Sequence, residues 1–500
     1  MDSHIPVIVG VAQRTIGRGQ QPGPEPLDGW ADVCRAAAAD AGIGFSELAE
    51  TGFLAVVDCL GWEYDDQVGR LAEKLSARPR VQYRSSPSGT SGQVMMAKAA
   101  DAIRAGEADI AVLCGGESLA TRRWYAKAGE PLPWSHPAPP GTAPSFDLEG
   151  QQHPGEAAIG LLGGVGAIYT FAMRDVARRA HLGIAPDDYR RQIGTMMAGF
   201  TRVAARNPDA WFPVERDADF LTDPRPDNRM ISYPYTKHMV AIMDVDMFGA
   251  LIVMSEAKAD ALGVARDRRI YPWAHCYAAD PDYTAVRPNL WRSEAMAAAS
   301  GAVLDAAGVA IDDVGHIDVY SCFPAAVNFA RDALGITQVD GERVTVTGGL
   351  PYGGGPGSSY MMTSLVKLVE RLRADPGGFG LASGVGMMMT HHAFGLYSSR
   401  PPVGVAPVDQ AAVQAAVDTV PQLAIRSDYS GPVTVATYTL MYDPDGTPVA
   451  GAAICDLPDG SRAHARMIDP ALLREAERTE LVGRTVHMVE GDQAGVISLA

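Results

Sequence analysis

Uninterrupted apolar runs alternate with segments of helical periodicity along most of the first 400 residues. Segment 110–118 begins as such a run, which is typical of a strand buried on both faces. Before it, segment 93–105 places apolar residues at helical spacing, and Gly106 closes the helix. Small residues at 89–92 permit a sharp turn into that helix. The pattern predicts an α/β protein whose turn presents backbone N–H groups at a buried helix N-terminus, where a developing anion is stabilised.

The same succession of signals occurs twice, which indicates an internal duplication. The matching segments are 39–43 with 305–309, 53–59 with 316–322, 89–105 with 355–372, and 110–116 with 379–388. Each half therefore predicts a mixed, mostly parallel sheet with helices on both faces. A pseudo-twofold pair of such halves is expected to meet at the two glycine turns.

A long insertion at about 119–238, rich in Pro and aromatic residues, separates the halves. Its uncharged stretch 157–173 contains Gly160-x-x-x-Gly164, but its length and four glycines favour a buried helix or pocket wall over a membrane helix. Segment 174–238 holds eleven basic and nine acidic residues in a chain of net charge −17. A phosphate-binding patch and a solvated surface are equally good interpretations of these arginines.

Short alternating segments and Asp-Gly turns follow residue 401. Segments 433–442, 449–455 and 461–467 predict strands of a small β-barrel with one helix near 470–480. An oligonucleotide-binding type barrel fits this pattern. Thirteen acidic against six basic residues in 405–500 exclude a nucleic-acid backbone as its partner.

Six cysteines stand at 34, 59, 114, 276, 322 and 455 without a C-x-x-C pair, so free buried thiols are expected rather than disulfides or a metal site. The first residues lack a charged-then-apolar leader and the last are no peroxisomal address. We expect a cytoplasmic protein with neither a nucleic-acid nor a membrane partner.

The turn and its surroundings resemble the nucleophile region of thiolases, which reads Cys-x-Ser-Gly, a helix, Gly-Asp-Ala-Asp, and a strand ending in Gly-Gly-x-Glu-Ser. The matching segments are 89–92, 106–109 and 115–118. The alignment puts Gly89 where the family has its acylated cysteine. Ser88 is the only local substitute, and an unactivated hydroxyl is a poor nucleophile.

The other thiolase motifs also lack their reactive groups. Segment 320–323 reads Tyr-Ser-Cys-Phe in place of Asn-Glu-Ala-Phe or His-Asp-Cys-Phe. Gly355 replaces the histidine of Gly-His-Pro, and segment 382–384, Ala-Ser-Gly, replaces Cys-x-Gly. The resemblance therefore implies that no acyl-enzyme forms.

We select two groups of candidate site residues. The catalytic candidates are Tyr320, Ser321, Cys322, Tyr352 and His391, and the ligand-binding candidates are Ser88, Gly89, Ser91, Gly354 and Gly355. For Cys322, packing is favoured over catalysis. His391 and His392 are adjacent on a strand, so at most one faces a pocket. The glycines at former side-chain positions are expected to enlarge the cavity and to favour a bulky ligand.

Taken together, these features resemble the thiolase-like protein type 1 group. The resemblance implies a duplicated, five-layered αβαβα thiolase fold with a loop-domain insertion and a small C-terminal β-barrel domain. The implied domains are 1–118 with 239–265, then 119–238, 266–402 and 403–500. If the barrel covers the surface that thiolases use to dimerise, a monomer results, whereas a thiolase-type dimer is the alternative.

The resemblance also sets the functional expectations. It implies an acetyl-CoA acetyltransferase-like protein that acts on or binds acyl-CoA. The acyl-CoA is expected to lie between the insertion and the two glycine turns. No cofactor is expected besides this substrate or ligand. The alternatives are an aldolase-type carbon–carbon lyase on a CoA thioester and a non-catalytic acyl-CoA or lipid-binding protein. Convergence of Tyr320 and Tyr352 on one cavity with Gly89 would favour an enzyme.

Overall fold

The computed structural model describes residues 4–142, 153–161 and 163–499. Its strands are, in chain order, β1 (Pro6–Thr15), β2 (Phe53–Val56), β3 (Val81–Arg84), β4 (Ile110–Ser118), β5 (Met230–Ser232), β6 (Tyr235–Thr236), β7 (Asp246–Ser255), β8 (Tyr271–Ala279), β9 (Val314–Asp318), β10 (Phe379–Gly386), β11 (His391–Ser398), β12 (Gly431–Tyr442), β13 (Pro448–Asp456), β14 (Arg462–Met467), β15 (Thr485–Val489) and β16 (Gly495–Ser498).

The α-helices are α1 (Pro26–Asp40), α2 (Gln67–Leu75), α3 (Ser91–Arg104), α4 (Leu119–Ala128), α5 (Pro154–Ala158), α6 (Gly163–His181), α7 (Pro186–Arg206), α8 (Ala218–Thr222), α9 (Glu256–Ala261), α10 (Glu294–Ala307), α11 (Pro324–Leu334), α12 (Gly349–Tyr352), α13 (Tyr360–Ala374), α14 (Gln410–Asp418) and α15 (Pro470–Ala476).

The duplication is visible in the topology of two sheets. The first sheet has the order β1-β7-β4-β2-β3, and the second has the order β8-β11-β10-β9. In both, the first two pairings are antiparallel and the third is parallel. The second sheet thus repeats four strands of the first in the same order and sense, without a counterpart of β3.

The expectation of mostly parallel sheets is wrong, because four of the seven pairings are antiparallel. All four antiparallel pairings involve β7 or β11. The β10–β11 connection is a short turn, which joins only antiparallel neighbours, and β7 returns from the insertion rather than from a helical crossover.

Five layers result from packing helices on both sheets. Helices α1 and α2 cover the outside of the first sheet, α3 and α13 lie between the sheets, and α10 and α14 pack outside the second. A Cβ built on Gly92 of α3 would lie 2.5 Å from the Cβ of Met361 on α13. The two glycine turns therefore meet in the central layer, as the repeat predicts.

The insertion carries α4 to α8 with β5 and β6. Its uncharged stretch is not one helix, since α5 ends at Ala158 and α6 begins at Gly163, while position 162 lies outside the described residues. No helix among the residues that the structure describes combines the length and apolar character that a membrane span needs.

The basic segment of the insertion is largely neutralised from within the chain. Seven of its eleven basic side chains form ion pairs: Arg178, Arg179, Arg190, Arg191, Arg202, Arg206 and Arg225. Arg174 is fully buried and donates to the carbonyls of Leu290, Met389 and Arg292. Most of these arginines therefore serve structure rather than a ligand.

The last five strands close into a barrel in the order β13-β14-β16-β15-β12, with β12 also pairing with β13. Helix α15 lies between its third and fourth strands along the chain, as expected for a barrel of the oligonucleotide-binding type. The barrel is joined to the insertion, because β12 pairs with β5 and Tyr233 donates its backbone N–H to the Leu440 carbonyl at 3.1 Å.

Candidate functional site

The turn before α3 leaves no room for a side chain at Gly89. A Cβ built there would collide with the backbone carbonyl of Val385 and would lie 2.5 Å from the Cζ and Oη atoms of Tyr320. The phenol of Tyr320 therefore occupies the place where a nucleophile on residue 89 would stand. Both residues are candidates on the sequence alone, but the sequence does not predict that one fills the space of the other.

Tyr320 is held in place from two sides. Its backbone N–H donates to the Ser383 hydroxyl at 3.1 Å, and its ring packs edge-on against the ring of Tyr360 at 5.5 Å between centroids. Only 7% of the residue is exposed, and burial raises the pKa of its phenol. The group stays protonated near neutral pH, so it is able to donate a hydrogen bond and is a poor base.

A buried carboxylate fixes Tyr360 in turn. The Tyr360 hydroxyl donates to Asp318 at 2.8 Å and is hydrogen-bonded to the Thr347 hydroxyl at 2.7 Å. Asp318 also accepts from the Thr345 hydroxyl at 2.9 Å and from the Val346 backbone N–H at 2.9 Å. This network was not predicted from the sequence, although an acidic residue at the end of an apolar strand was a usable signal.

The two residues after Tyr320 are less suited to catalysis than Tyr320 is. Ser321 is fully buried, and its hydroxyl accepts the backbone N–H of Leu350 at 3.1 Å. Cys322 is partly buried against the core, and burial raises the pKa of its thiol. A thiol that stays protonated is a weak nucleophile, so packing remains the favoured interpretation of Cys322.

The second glycine turn lies against the insertion. The backbone N–H groups of Trp211 and Phe212 donate to the carbonyls of Gly353 at 3.0 Å and of Tyr352 at 2.8 Å. The Tyr352 hydroxyl is buried and has no hydrogen-bond partner among the residues that the structure describes. It is an available donor in this part of the protein.

The glycines of this turn do not enlarge a cavity, contrary to expectation. A Cβ on Gly354 would collide with the Met247 sulfur, and a Cβ on Gly355 would lie 3.1 Å from the Ile242 carbonyl oxygen. Together with Tyr320 beside Gly89, these neighbours fill the space that larger side chains would need. Closely packed neighbouring atoms therefore occupy the space where thiolases carry the missing catalytic side chains.

A cavity of about 540 Å³ is lined by residues of the first turn and of α3, and it brings together Ser88, Ser91 and His391. The Ser88 hydroxyl is hydrogen-bonded to that of Thr90 at 2.8 Å, and the Ser91 hydroxyl donates to the Ser86 carbonyl at 2.8 Å. No described residue of the insertion lines this cavity, so it differs from the groove expected for coenzyme A.

The histidine pair divides as the strand geometry predicts. His391 lines the cavity, and burial lowers the pKa of its imidazole. His392 is fully buried, with Nε2 at 3.1 Å from the Ser293 hydroxyl and 3.4 Å from Asp280. The structure therefore does not bring His391 to Tyr320 and Tyr352 in a single described cavity.

No cluster of metal-ligating side chains is found within the described ranges. All six cysteines are free thiols.

Comparison with known proteins shows that the chain is thiolase-like. A family model described as thiolase-like protein type 1 additional C-terminal domain matches residues 412–493. The crystal structure of a monomeric SCP2-thiolase like protein type 1 from Mycobacterium smegmatis superposes with a TM-score of 0.86 at 29% identity, covering 100% of both chains. The chain thus carries the additional C-terminal domain of the thiolase-like proteins of type 1 and is similar to one of them over its whole length.

Two further proteins are similar to part of the sequence or to the fold. A 3-ketoacyl-CoA thiolase of Pseudoalteromonas translucida (strain TAC 125) is 34% identical over 128 residues, which is 25% of this thiolase-like protein and 31% of the relative. An Ltp2-ChsH2(DUF35) aldolase has a TM-score of 0.61 at 16% identity, over 80% of this chain and 99% of its own, and therefore shares the fold.

Glu117, in the Gly-Gly-Glu-Ser segment 115–118 of this thiolase-like protein, is fully buried and accepts the backbone N–H groups of Leu60 at 2.7 Å and Gly61 at 3.0 Å. Burial raises the pKa of its carboxyl group from 4.5 to about 7. The folded chain therefore holds this proton more tightly than the unfolded chain does.

We expect this carboxyl group to make stability fall with rising pH. Its contribution is complete below pH 4.5 and is lost as pH rises to about 7, a change of about 3 kcal/mol in the free energy of unfolding. Urea unfolding of the wild type and of Glu117→Gln across this range measures it, and the variant should lack this part of the decline. Equal pH slopes in the two proteins would contradict the assignment.

Proposed function

We propose that this protein binds an acyl-CoA thioester and acts on it without forming an acyl-enzyme. The observation that carries the proposal is the position of the Tyr320 hydroxyl, 2.5 Å from the site of a Cβ on Gly89 and in front of α3. A protonated phenol there donates a hydrogen bond to a thioester oxygen, assisted by the N–H groups of the helix N-terminus.

The reaction class follows from what Tyr320 is able to do. Making or breaking a carbon–carbon bond next to a thioester carbonyl passes through an enolate, whose oxygen accepts a hydrogen bond from a well-placed donor. Aldolase-type chemistry needs such a donor and no covalent intermediate, whereas thiolysis needs a thiolate near a base. We therefore assign Tyr320 the role of donor, with Tyr352 as a second candidate.

A basic cluster in the insertion supports a coenzyme A ligand. The Arg216 guanidinium lies 4.3 Å from the centre of the Phe220 ring, and the His238 ring lies 5.3 Å from it. Burial and the nearby charges of Lys237 and Arg216 lower the pKa of His238. Within the described ranges neither Arg216 nor Lys237 forms an ion pair, so both are available to phosphates.

A non-catalytic acyl-CoA-binding protein is the second candidate function. It is favoured by the packing of Tyr320, whose ring is almost completely buried and fills the nucleophile position. Turnover of acyl-CoA substrates by the wild-type protein distinguishes the two. In either case we propose a cytoplasmic monomer that needs no cofactor besides the CoA ligand.

Calorimetry with coenzyme A and a panel of acyl-CoAs tests the binding step. We expect saturable binding to the wild type and about tenfold weaker binding to Arg216→Gln, because a charge-assisted contact to phosphate is lost. Arg426→Gln, which changes an arginine of the C-terminal region paired with Asp428 and Asp459, is the matched control. Absence of binding to any CoA species at millimolar concentration would refute the proposal.

A further inference from the structure

The cavity beside the first turn is a groove along one face of α3. Ser91, Val94, Lys98 and Asp101 line it at successive turns of that helix, so it extends for about 15 Å. Its opposite wall is formed by β8 and β11 of the second sheet and by the edge strand β3. The groove therefore lies between the two sheets, where the turn at Gly89 forms its inner end.

The chemistry of the groove changes along its length. The inner end is neutral and polar, with the hydroxyl groups of Ser86, Ser88 and Ser91. The middle is apolar and aromatic, with Val94, Ala97, Cys276, Tyr277 and Ala393. A ligand with hydrogen-bonding groups at both ends and an apolar middle matches this arrangement.

The outer end carries a free positive charge. The Lys98 ammonium lies 5.2 Å from the centre of the Tyr83 ring and forms no ion pair in the described part of the chain. Asp101 is already engaged by Arg104 at 2.9 Å and by His275 at 3.6 Å. An acidic ligand group would pair with Lys98 without displacing another partner.

The turn between β10 and β11 borders the groove in an unusual backbone conformation. Met387, which lines the groove, and Met389 have positive φ angles of 53° and 58°. The buried guanidinium groups of Arg174 and Arg287 both donate to the Met389 carbonyl, at 3.0 and 3.1 Å. These contacts hold the turn, so that the adaptable side chain of Met387 faces the ligand space.

We propose that this groove binds an elongated ω-hydroxy carboxylic acid. The hydroxyl group lies among the serines of the inner end, the chain lies along Val94 and Tyr277, and the carboxylate pairs with Lys98. The site is separate from the coenzyme A site proposed above, because neither Tyr320 nor a described residue of the insertion lines the groove.

Titration calorimetry without coenzyme A tests the site, using 12-hydroxydodecanoic acid, whose extended chain is about as long as the groove. We expect saturable one-to-one binding to the wild type. Val94→Trp, which fills the middle of the groove, should bind at least tenfold more weakly. Lys98→Gln should weaken binding of the acid about tenfold and leave binding of 1,12-dodecanediol unchanged, because the diol has no carboxylate.

Lys127→Gln is the matched control, because Lys127 is an exposed lysine on α4, outside the groove. It should bind the acid like the wild type. If Val94→Trp does not fold, the comparison of acid and diol in Lys98→Gln decides alone. Absence of saturable binding, wild-type affinity in Lys98→Gln, or an equal loss in Lys127→Gln would each overturn the proposal.

Discussion

Replacing Gly89 by alanine is expected to destabilise the folded chain by about 3 kcal/mol, at the upper end for an overpacked core. The added Cβ would collide with the Val385 carbonyl, which belongs to β10 and has no freedom to rotate away, and would also press on the Tyr320 phenol. Urea unfolding measures the change in the free energy of unfolding.

Gly301→Ala is the matched control for this substitution. Gly301 lies within α10, and a Cβ there would meet no atom within 4 Å. Because alanine favours the helix over glycine, Gly301→Ala should be as stable as the wild type or about 1 kcal/mol more stable. Wild-type stability of Gly89→Ala would mean that Tyr320 does not occupy the space beside residue 89.

Replacing Tyr320 by phenylalanine is expected to lower acyl-CoA turnover on the order of a hundredfold, which is typical for removal of a positioned donor to a developing oxyanion. The ring would remain packed against Tyr360, so the fold should persist. Steady-state kinetics should show the loss in kcat, with little change in the affinity for coenzyme A.

Tyr429→Phe serves as the control, since the hydroxyl of Tyr429 donates to the Pro432 carbonyl in the C-terminal region, at 3.1 Å. It should turn over substrate like the wild type. Wild-type turnover in both Tyr320→Phe and Tyr352→Phe would exclude the proposed role of these tyrosines in catalysis.

Much of the architecture was predictable because the sequence repeats itself. The apolar runs 53–59 and 316–322 became β2 and β9, and the runs 110–116 and 379–388 became β4 and β10. Each pair occupies the same place in its sheet. Strand direction was harder to predict, because apolar runs look alike in parallel and antiparallel sheets when both faces are buried.

Single residues of the candidate site were predictable from the sequence, but the contacts between them were not. Motif positions singled out Gly89 and Tyr320, yet 231 residues separate them, and nothing local to either shows that the phenol fills the space beside the glycine. The same limit applies to Asp318, whose partners lie on a later segment of the chain. Contacts between distant segments depend on packing, which periodicity does not encode.

The basic insertion illustrates a second limit. The insertion contains a surplus of basic residues, but this count does not show which carboxylates lie next to each of them. Arg178 pairs with Asp332 and Arg202 with Asp340, both on the second half of the chain. Only the arrangement in space separates these paired arginines from Arg216, which remains available to a ligand.

Native mass spectrometry with an acyl-CoA distinguishes non-covalent binding from acylation, because one spectrum reads assembly, binding and covalent modification. We predict a monomer of 52.9 kDa that carries the acyl-CoA in the native spectrum and returns to its unmodified mass after denaturation. An acyl group that survives denaturation would refute non-covalent binding, because it would require a nucleophile where Tyr320 and Gly89 provide none.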